Sequence, residues 1–165
     1  MKKYILTIII CTLTTLSYAQ HKLGHINSEE LISLMPEAKQ AESELENMQK
    51  NADATYKAML QEYQNKAIAY QNDAENLKGA SLEARQKEIL DLENRIAQFE
   101  QSSQQQFQEK YIELLKPIQE KALNAINDVA EKEKYTYIFD ISKGNILFYE
   151  NGDNILPLVK KKLKL

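Results

Sequence analysis

The side chains that could do chemistry are thinly spread. Two histidines, His21 and His25, stand four residues apart, and imidazole both ligates metals and carries protons near neutral pH. In an extended strand four residues cover about 13 Å, so the rings share a face without sharing an ion. No H-x-x-E-H or H-E-x-x-H run accompanies them, and no metal site is expected. Carboxylates come in pairs such as Glu42 and Glu46. That spacing puts them on one solvated helix face, with no cleft to shift their proton affinity, which argues against catalysis. The glycines (Gly24, Gly79, Gly144, Gly152) build neither G-x-x-x-x-G-K-[ST] nor G-x-G-x-x-G, so no nucleotide or other cofactor is expected. What remains is contact chemistry. Tyr56, Tyr63 and Tyr70 recur every seven residues, with Met48 and Met59 among them and Phe99 further on. Tyrosine joins an apolar body to a polar tip and methionine adapts to irregular surfaces, which suits nonselective contact. The same stripe at helical spacing also reads as a helix-pair core packed against Phe99, Phe107 and Tyr111.

The elements that must position this stripe are long helices. Of 165 residues 43% are hydrophobic and 27% charged, with 4 Gly and 3 Pro, too few turn-formers for an all-β fold. Between Pro36 and Pro117 the only glycine is Gly79. Strong helix formers on both sides predict two helices, Pro36 to Lys78 and Ser81 to Lys134, with Ser81 as cap of the second. A shorter helical piece beginning at Asn27 or Ser28 precedes them, and Pro36 suits a first turn. The apolar series Leu45, Met48, Ala52, Tyr56, Met59, Tyr63, Ala67, Tyr70, Ala74 keeps an eleven-residue rhythm, which gives nearly straight helices. In the second helix Ile89, Leu92, Ile96 and Phe99 are followed, after a gap, by Phe107, Tyr111, Leu114 and Ile118. Gln104, Gln105 and Gln106 within the gap read as exposed surface. At 1.5 Å per residue such a pair reaches about 60 Å. Pro117 falls inside the second helix, where it predicts a kink and is a candidate hinge.

Residues 1 to 19 read as a secretory leader: Lys2 and Lys3, an apolar run from Tyr4 to Leu16, then Ser17-Tyr18-Ala19 before a cut ahead of Gln20. Cys11 lies inside it, so the processed chain has no cysteine and no disulfide. Without Lys2 and Lys3 there remain 19 basic and 24 acidic groups, formally −5. Nucleic acid is therefore an unsuitable partner, since phosphate binding needs a basic surface. Residues 40–115 carry 8 basic and 14 acidic groups, net −6, against 11 and 10 elsewhere in the processed chain. A segment so charged stays soluble and repels its own copies.

The ends have strand character. Lys22 to Ile26 and Tyr135 to Ile141 predict strands, and after a turn at Ser142 to Asn145, Ile146 to Tyr149 predicts a returning partner strand. Ile155 to Leu165 reads as a terminal helix with Pro157 near its start. Three short strands are marginal alone. Their large apolar residues on both faces, Ile26, Tyr137, Phe139, Ile141, Ile146 and Phe148, predict association between chains. The expected division is 1–19 leader, 20–39 with 116–165 as a β-rich oligomerisation body, and 40–115 as a helical hairpin arm. The fold class is mainly α with a small β part.

Three stretches then carry a resemblance. The first is Leu23-Gly24-His25-Ile26-Asn27-Ser28-Glu29-Glu30-Leu31 with Met35-Pro36-Glu37-Ala38. The others are Leu115-Lys116-Pro117-Ile118-Gln119 with Ala125-Ile126-Asn127-Asp128-Val129-Ala130, and Tyr135-Thr136-Tyr137-Ile138-Phe139-Asp140. Together they resemble the OmpH/Skp family of periplasmic chaperones over nearly the whole processed chain. Lys134 stands where that family often has glycine, and residues 40–115 are net acidic where some members have basic arms, which speaks against lipopolysaccharide as a ligand. The resemblance implies a homotrimer whose short strands form a small barrel and whose hairpins surround a cavity for unfolded outer-membrane proteins, released without ATP. It would make this chain a non-enzymatic periplasmic holdase, with Met48, Tyr56, Met59, Tyr63, Tyr70 and Phe99 as candidate cargo contacts. The alternative is a passive coiled-coil spacer or scaffold of the cell envelope. A single hairpin with strand-rich ends favours the holdase, because a stalk gains more length from one continuous helix.

Overall fold

The computed structural model describes residues 21–73 and 78–165; the leader read over 1–19, Cys11 within it and Ala74 of the first stripe lie outside them. The elements in order are β1 (Leu23–Ile26), α1 (Ser28–Leu34), α2 (Pro36–Asp73), α3 (Ala80–Glu133), β2 (Tyr137–Asp140), β3 (Asp153–Asn154) and α4 (Leu156–Leu163). The chain is mainly helical with one small sheet, and it forms two compact units: residues up to Leu31 with Ala122–Leu165, and Ile32–Lys121.

In the first unit β1 is the central strand. It pairs in parallel with β2, Leu23 opposite Tyr137 through Ile26 opposite Asp140, and in parallel with β3, Gly24 opposite Asp153 and His25 opposite Asn154. Thr136 N–H donates to the Lys22 carbonyl at 2.8 Å and Ile141 N–H to that of Ile26 at 2.9 Å, fixing the register at both ends. The unit's core gathers Ile26, Leu31, Ile155 and Val159, all essentially without exposure, with Ala122, Ala125 and Val129 along α3. A Cβ on Gly24 would stand 3.1 Å from Ile155 and 3.2 Å from the Tyr135 ring, so a side chain there would press both neighbours aside by a few tenths of an ångström.

The returning strand expected over Ile146 to Tyr149 does not form; the third strand is Asp153–Asn154. Both edges of β1 are occupied by β2 and β3. Gly152 N–H closes a turn onto the Tyr149 carbonyl at 2.9 Å, which delivers residues 153 and 154 to β1. Residues 146–149 are left off the ladder, with Leu147 94% and Phe148 69% exposed.

The helix ends follow local chemistry. Asn27 caps α1, its Oδ1 accepting from Glu30 N–H at 3.0 Å. Lys134 ends α3 in the left-handed region at φ 60°, and Tyr135 N–H then reaches the Ala130 carbonyl at 2.9 Å. That closing bond is the one glycine usually permits, and lysine adopts the conformation at a steric cost. At α4, Asn154 Oδ1 accepts from Leu156 N–H at 3.0 Å, and Pro157 sits in the first turn where its missing N–H is harmless.

In the second unit Pro36 opens α2, as the sequence predicts, and the preceding Met35 is fully buried. Helix α3 begins at Ala80 rather than at a Ser81 cap: Gly79, at φ 60°, turns the chain, and its carbonyl accepts from Leu82 and Glu83 N–H at 3.1 and 3.3 Å. Ser81 therefore lies inside the first turn. Helix α3 continues through Pro117, whose ring is exposed.

Candidate functional site

The tyrosine stripe is where sequence and structure meet. Tyr56, Tyr63 and Tyr70 lie half-buried on α2. The Tyr63 hydroxyl donates to Glu93 Oε1 at 2.7 Å, the Tyr70 hydroxyl accepts from Gln86 Nε2 at 2.7 Å, and the Tyr56 hydroxyl is hydrogen-bonded to Glu100. The partners fall on α3 at the same seven-residue interval, descending as the tyrosines ascend, which is the order antiparallel helices give. Hydrogen bonding to a carboxylate raises the Tyr56 and Tyr63 hydroxyls above the ordinary phenol value, because the neutral phenol is the donor.

Ion pairs extend the ladder: Lys66 with Glu88 at 3.2 Å, Lys110 with Glu44 at 2.9 Å, and Lys121 with Glu37. The Lys110 ammonium is raised by its hydrogen bonds to Glu44 and Glu113, and the Glu37 carboxyl is lowered by that from Lys121. Glu46, of the Glu42 and Glu46 pair, is hydrogen-bonded by Lys50 one turn on, which lowers its carboxyl. These groups are exposed or only half-buried, and ion pairs open to solvent add little to stability.

The apolar seam under the ladder is thin. Among the described residues of the second unit the buried apolar ones are Met35, Ala41, Leu92 and Ile118, while Ile68, Leu90, Tyr111 and Ile112 stand exposed. Met48, Met59 and Phe99 are half-buried. Between the Glu44–Lys110 and Tyr56–Glu100 links the seam opens into a groove of about 1090 Å³, with Met48, Ala52, Tyr56, Phe99, Ser103 and Phe107 on its walls. The gap between Phe99 and Phe107 in the apolar series is the cause: Ser103 and Ala52 are too small to meet.

Of the strand residues singled out in the first unit, Ile26 is 1% exposed, inside the chain's own core. Tyr137 and Phe139 stack with ring centroids 6.2 Å apart on an exposed face. Ile141 and Ile146 are half-buried and Phe148 is exposed. His25 is buried against the Tyr149 ring at 4.7 Å, its Nδ1 without a partner. Among the described residues no three His, Cys, Asp or Glu side chains gather as a metal site would require.

Two polar residues of this unit escaped the sequence reading. Asp140, on β2, accepts from Ser28 N–H at 3.2 Å and from the Ser28 hydroxyl, so it holds the start of α1 from across the sheet. Burial pushes its carboxyl up, but bonds from the Ser28 hydroxyl and the Ser142 and Ser28 amides outweigh this and hold it below the ordinary value. Tyr135 donates to Asp153 Oδ2 at 2.9 Å beneath the Lys22 ammonium, 4.0 Å from its ring centre. Burial, then that bond, pushes its hydroxyl up to about 12.

Residues 22–163 match the family described as "Outer membrane protein (OmpH-like)". Chaperone protein Skp of Photorhabdus laumondii subsp. laumondii is 25% identical over 146 residues, covering 88% of this chain and 87% of its own length. The protein of the same name from Photorhabdus luminescens matches with the same identity and coverage. A solved Caulobacter crescentus CB15 structure described as OmpH-like shares the fold, with a TM-score of 0.73 over 90% of this chain and 88% of that one, at 14% identity.

Proposed function

The chain belongs to the OmpH-like outer membrane protein family, and from that premise we propose that it is an ATP-independent periplasmic holdase that keeps unfolded outer-membrane proteins from aggregating. The observation that carries this is the second unit's composition. A pair of long helices, read as one hairpin arm, buries few apolar side chains of its own and leaves Ile68, Leu90, Tyr111 and Ile112 exposed beside half-buried Tyr and Met. Many weak apolar contacts hold a chain without reading its sequence, and they are released one at a time without an energy source. The relatives named Chaperone protein Skp support the same reading.

Three copies joined through their strand ends would enclose a cavity between arms. The stacked Tyr137 and Phe139, and the unladdered Ile146 to Tyr149, supply apolar surface that a single chain leaves open, and such surface favours association. Ile141 is half-buried, and Ile26, 1% exposed, packs in the chain's own core. Pro117 marks the base of the arm in this reading and serves as its hinge. The leader over 1–19 delivers the chain to the periplasm, and no enzyme activity is assigned.

The test is dilution of a urea-denatured outer-membrane β-barrel protein into buffer containing the purified protein and no nucleotide. A holdase suppresses the light scattering in proportion to its concentration. A passive spacer leaves it at the level of buffer alone.

A further inference from the structure

The groove between the Glu44–Lys110 and Tyr56–Glu100 links has a chemistry of its own, and it lies within one arm rather than between arms. Its floor is apolar, with Met48, Phe99 and Phe107 around the small Ala52 and Ser103. Its rim carries uncharged amides, Asn47, Asn51, Gln104 and Gln106. The charged lining residues are Glu44, Asp53, Glu100 and Lys110, and the one cation is already engaged by Glu44 and Glu113. Glu100 accepts from the Tyr56 hydroxyl, and Asp53 accepts from a neutral amide, Gln49 Nε2 at 2.9 Å. The lining is therefore acidic by two charges, on an arm that is itself net acidic.

From Glu44 to Tyr56 the groove runs about 18 Å along the helix axis, at 1.5 Å per residue. An extended polypeptide covers that length in about five residues. Such a segment brings unpaired backbone N–H and C=O groups, which carboxamides match as both donors and acceptors. We propose that this groove binds a short extended segment of unfolded polypeptide, one large apolar side chain seated between Phe99 and Phe107 and a Lys or Arg beside it facing Asp53 and Glu100. The inference rests on the holdase reading and deepens it: clients would be held at a defined point of each arm, with preference for apolar residues flanked by positive charge.

The experiment uses two labelled seven-residue peptides, Ser-Lys-Ser-Trp-Ser-Lys-Ser and its counterpart with Glu in place of Lys, with binding read by fluorescence anisotropy at low salt. The Lys peptide is expected to bind at least about tenfold tighter than the Glu peptide, a difference of about 1.4 kcal/mol. Ser103→Trp, which fills the groove, is expected to abolish that binding, with circular dichroism reporting whether the helices persist. The second variant, Asp53→Lys, changes only an exposed side chain, brings the lining to zero net charge and is expected to abolish the preference between the two peptides. Equal binding of both peptides by wild-type protein, or an Asp53→Lys variant that keeps the original preference, overturns the proposal. The scattering assay runs alongside. Wild-type protein that protects the denatured client but ignores both peptides refutes the groove and leaves the holdase reading standing; protein that does neither refutes both.

Discussion

Leu92 is 2% exposed on a helix pair that otherwise buries little along its outer half. It adjoins the Tyr63–Glu93 link and lies one turn from the Lys66–Glu88 pair. Replacing it with alanine removes the one well-buried large side chain among the described residues of that region. Leu→Ala changes cost 2 to 5 kcal/mol, and two helices can close over part of the gap, so the cost here is about 2 kcal/mol. The remaining ties are exposed ion pairs and tyrosine hydrogen bonds, too weak to absorb that loss. The outer segment should then open locally rather than unfold the whole chain. About 2 kcal/mol is a roughly 30-fold rise in the open population. Hydrogen exchange read by mass spectrometry should show that acceleration in peptides covering residues 60–73 and 82–96, with residues 122–133 unchanged. Leu90→Ala, at a side chain 57% exposed, should change rates less than about threefold, in keeping with the small effect of surface substitutions. Unchanged exchange in Leu92→Ala, or equal acceleration everywhere, would refute the reasoning that the arm is held locally and thinly.

The first unit yields three further expectations. Asp140→Ala removes the acceptor that anchors Ser28, and should lower thermal stability at pH 7 by about 1 kcal/mol. Because the folded carboxyl titrates below its unfolded value, its contribution is present above the unfolded pKa and lost as pH falls through the folded one. Wild type and variant melting points should therefore converge as pH drops below about 4. For Tyr135 the sign is opposite: its hydroxyl is pushed up to about 12 in the fold, so its contribution is whole below the unfolded phenol value and disappears as pH rises toward 12. Stability of the wild type should fall more steeply over that alkaline window than that of Tyr135→Phe, as denaturant titration would show. Lys134→Gly removes the left-handed strain at the α3 exit and should raise stability by up to about 1 kcal/mol, read from urea midpoints.

The long helices were legible because few turn-formers interrupt residues 36–117 and the apolar stripe keeps helical period. Their starts were less so: Ser81 has capping chemistry, yet Gly79 turns the chain and its carbonyl already takes the first helical amides. The sheet shows the limit of propensity. Asp153 and Asn154 are poor strand formers that pair because β1 offers an edge where the Gly152 turn delivers them. Ile146 to Tyr149 have strand character and find no ladder within one chain. The tyrosine ladder was half visible. The seven-residue step of Tyr56, Tyr63 and Tyr70 stood out, but Gln86, Glu93 and Glu100, at the same step, were passed over because the stripe was traced through apolar residues alone. Asp140 carried no signal of its own, since its partner Ser28 is 112 residues away in sequence.

In the proposed function, copies of the chain assemble around a space that a single chain does not enclose. Light scattering coupled to size-exclusion chromatography measures this directly, on the purified protein alone and after mixing with a denatured outer-membrane protein. The predicted result is a particle of three chains that takes up one client and stays soluble. A particle with the mass of one chain, unchanged by the client, would contradict it.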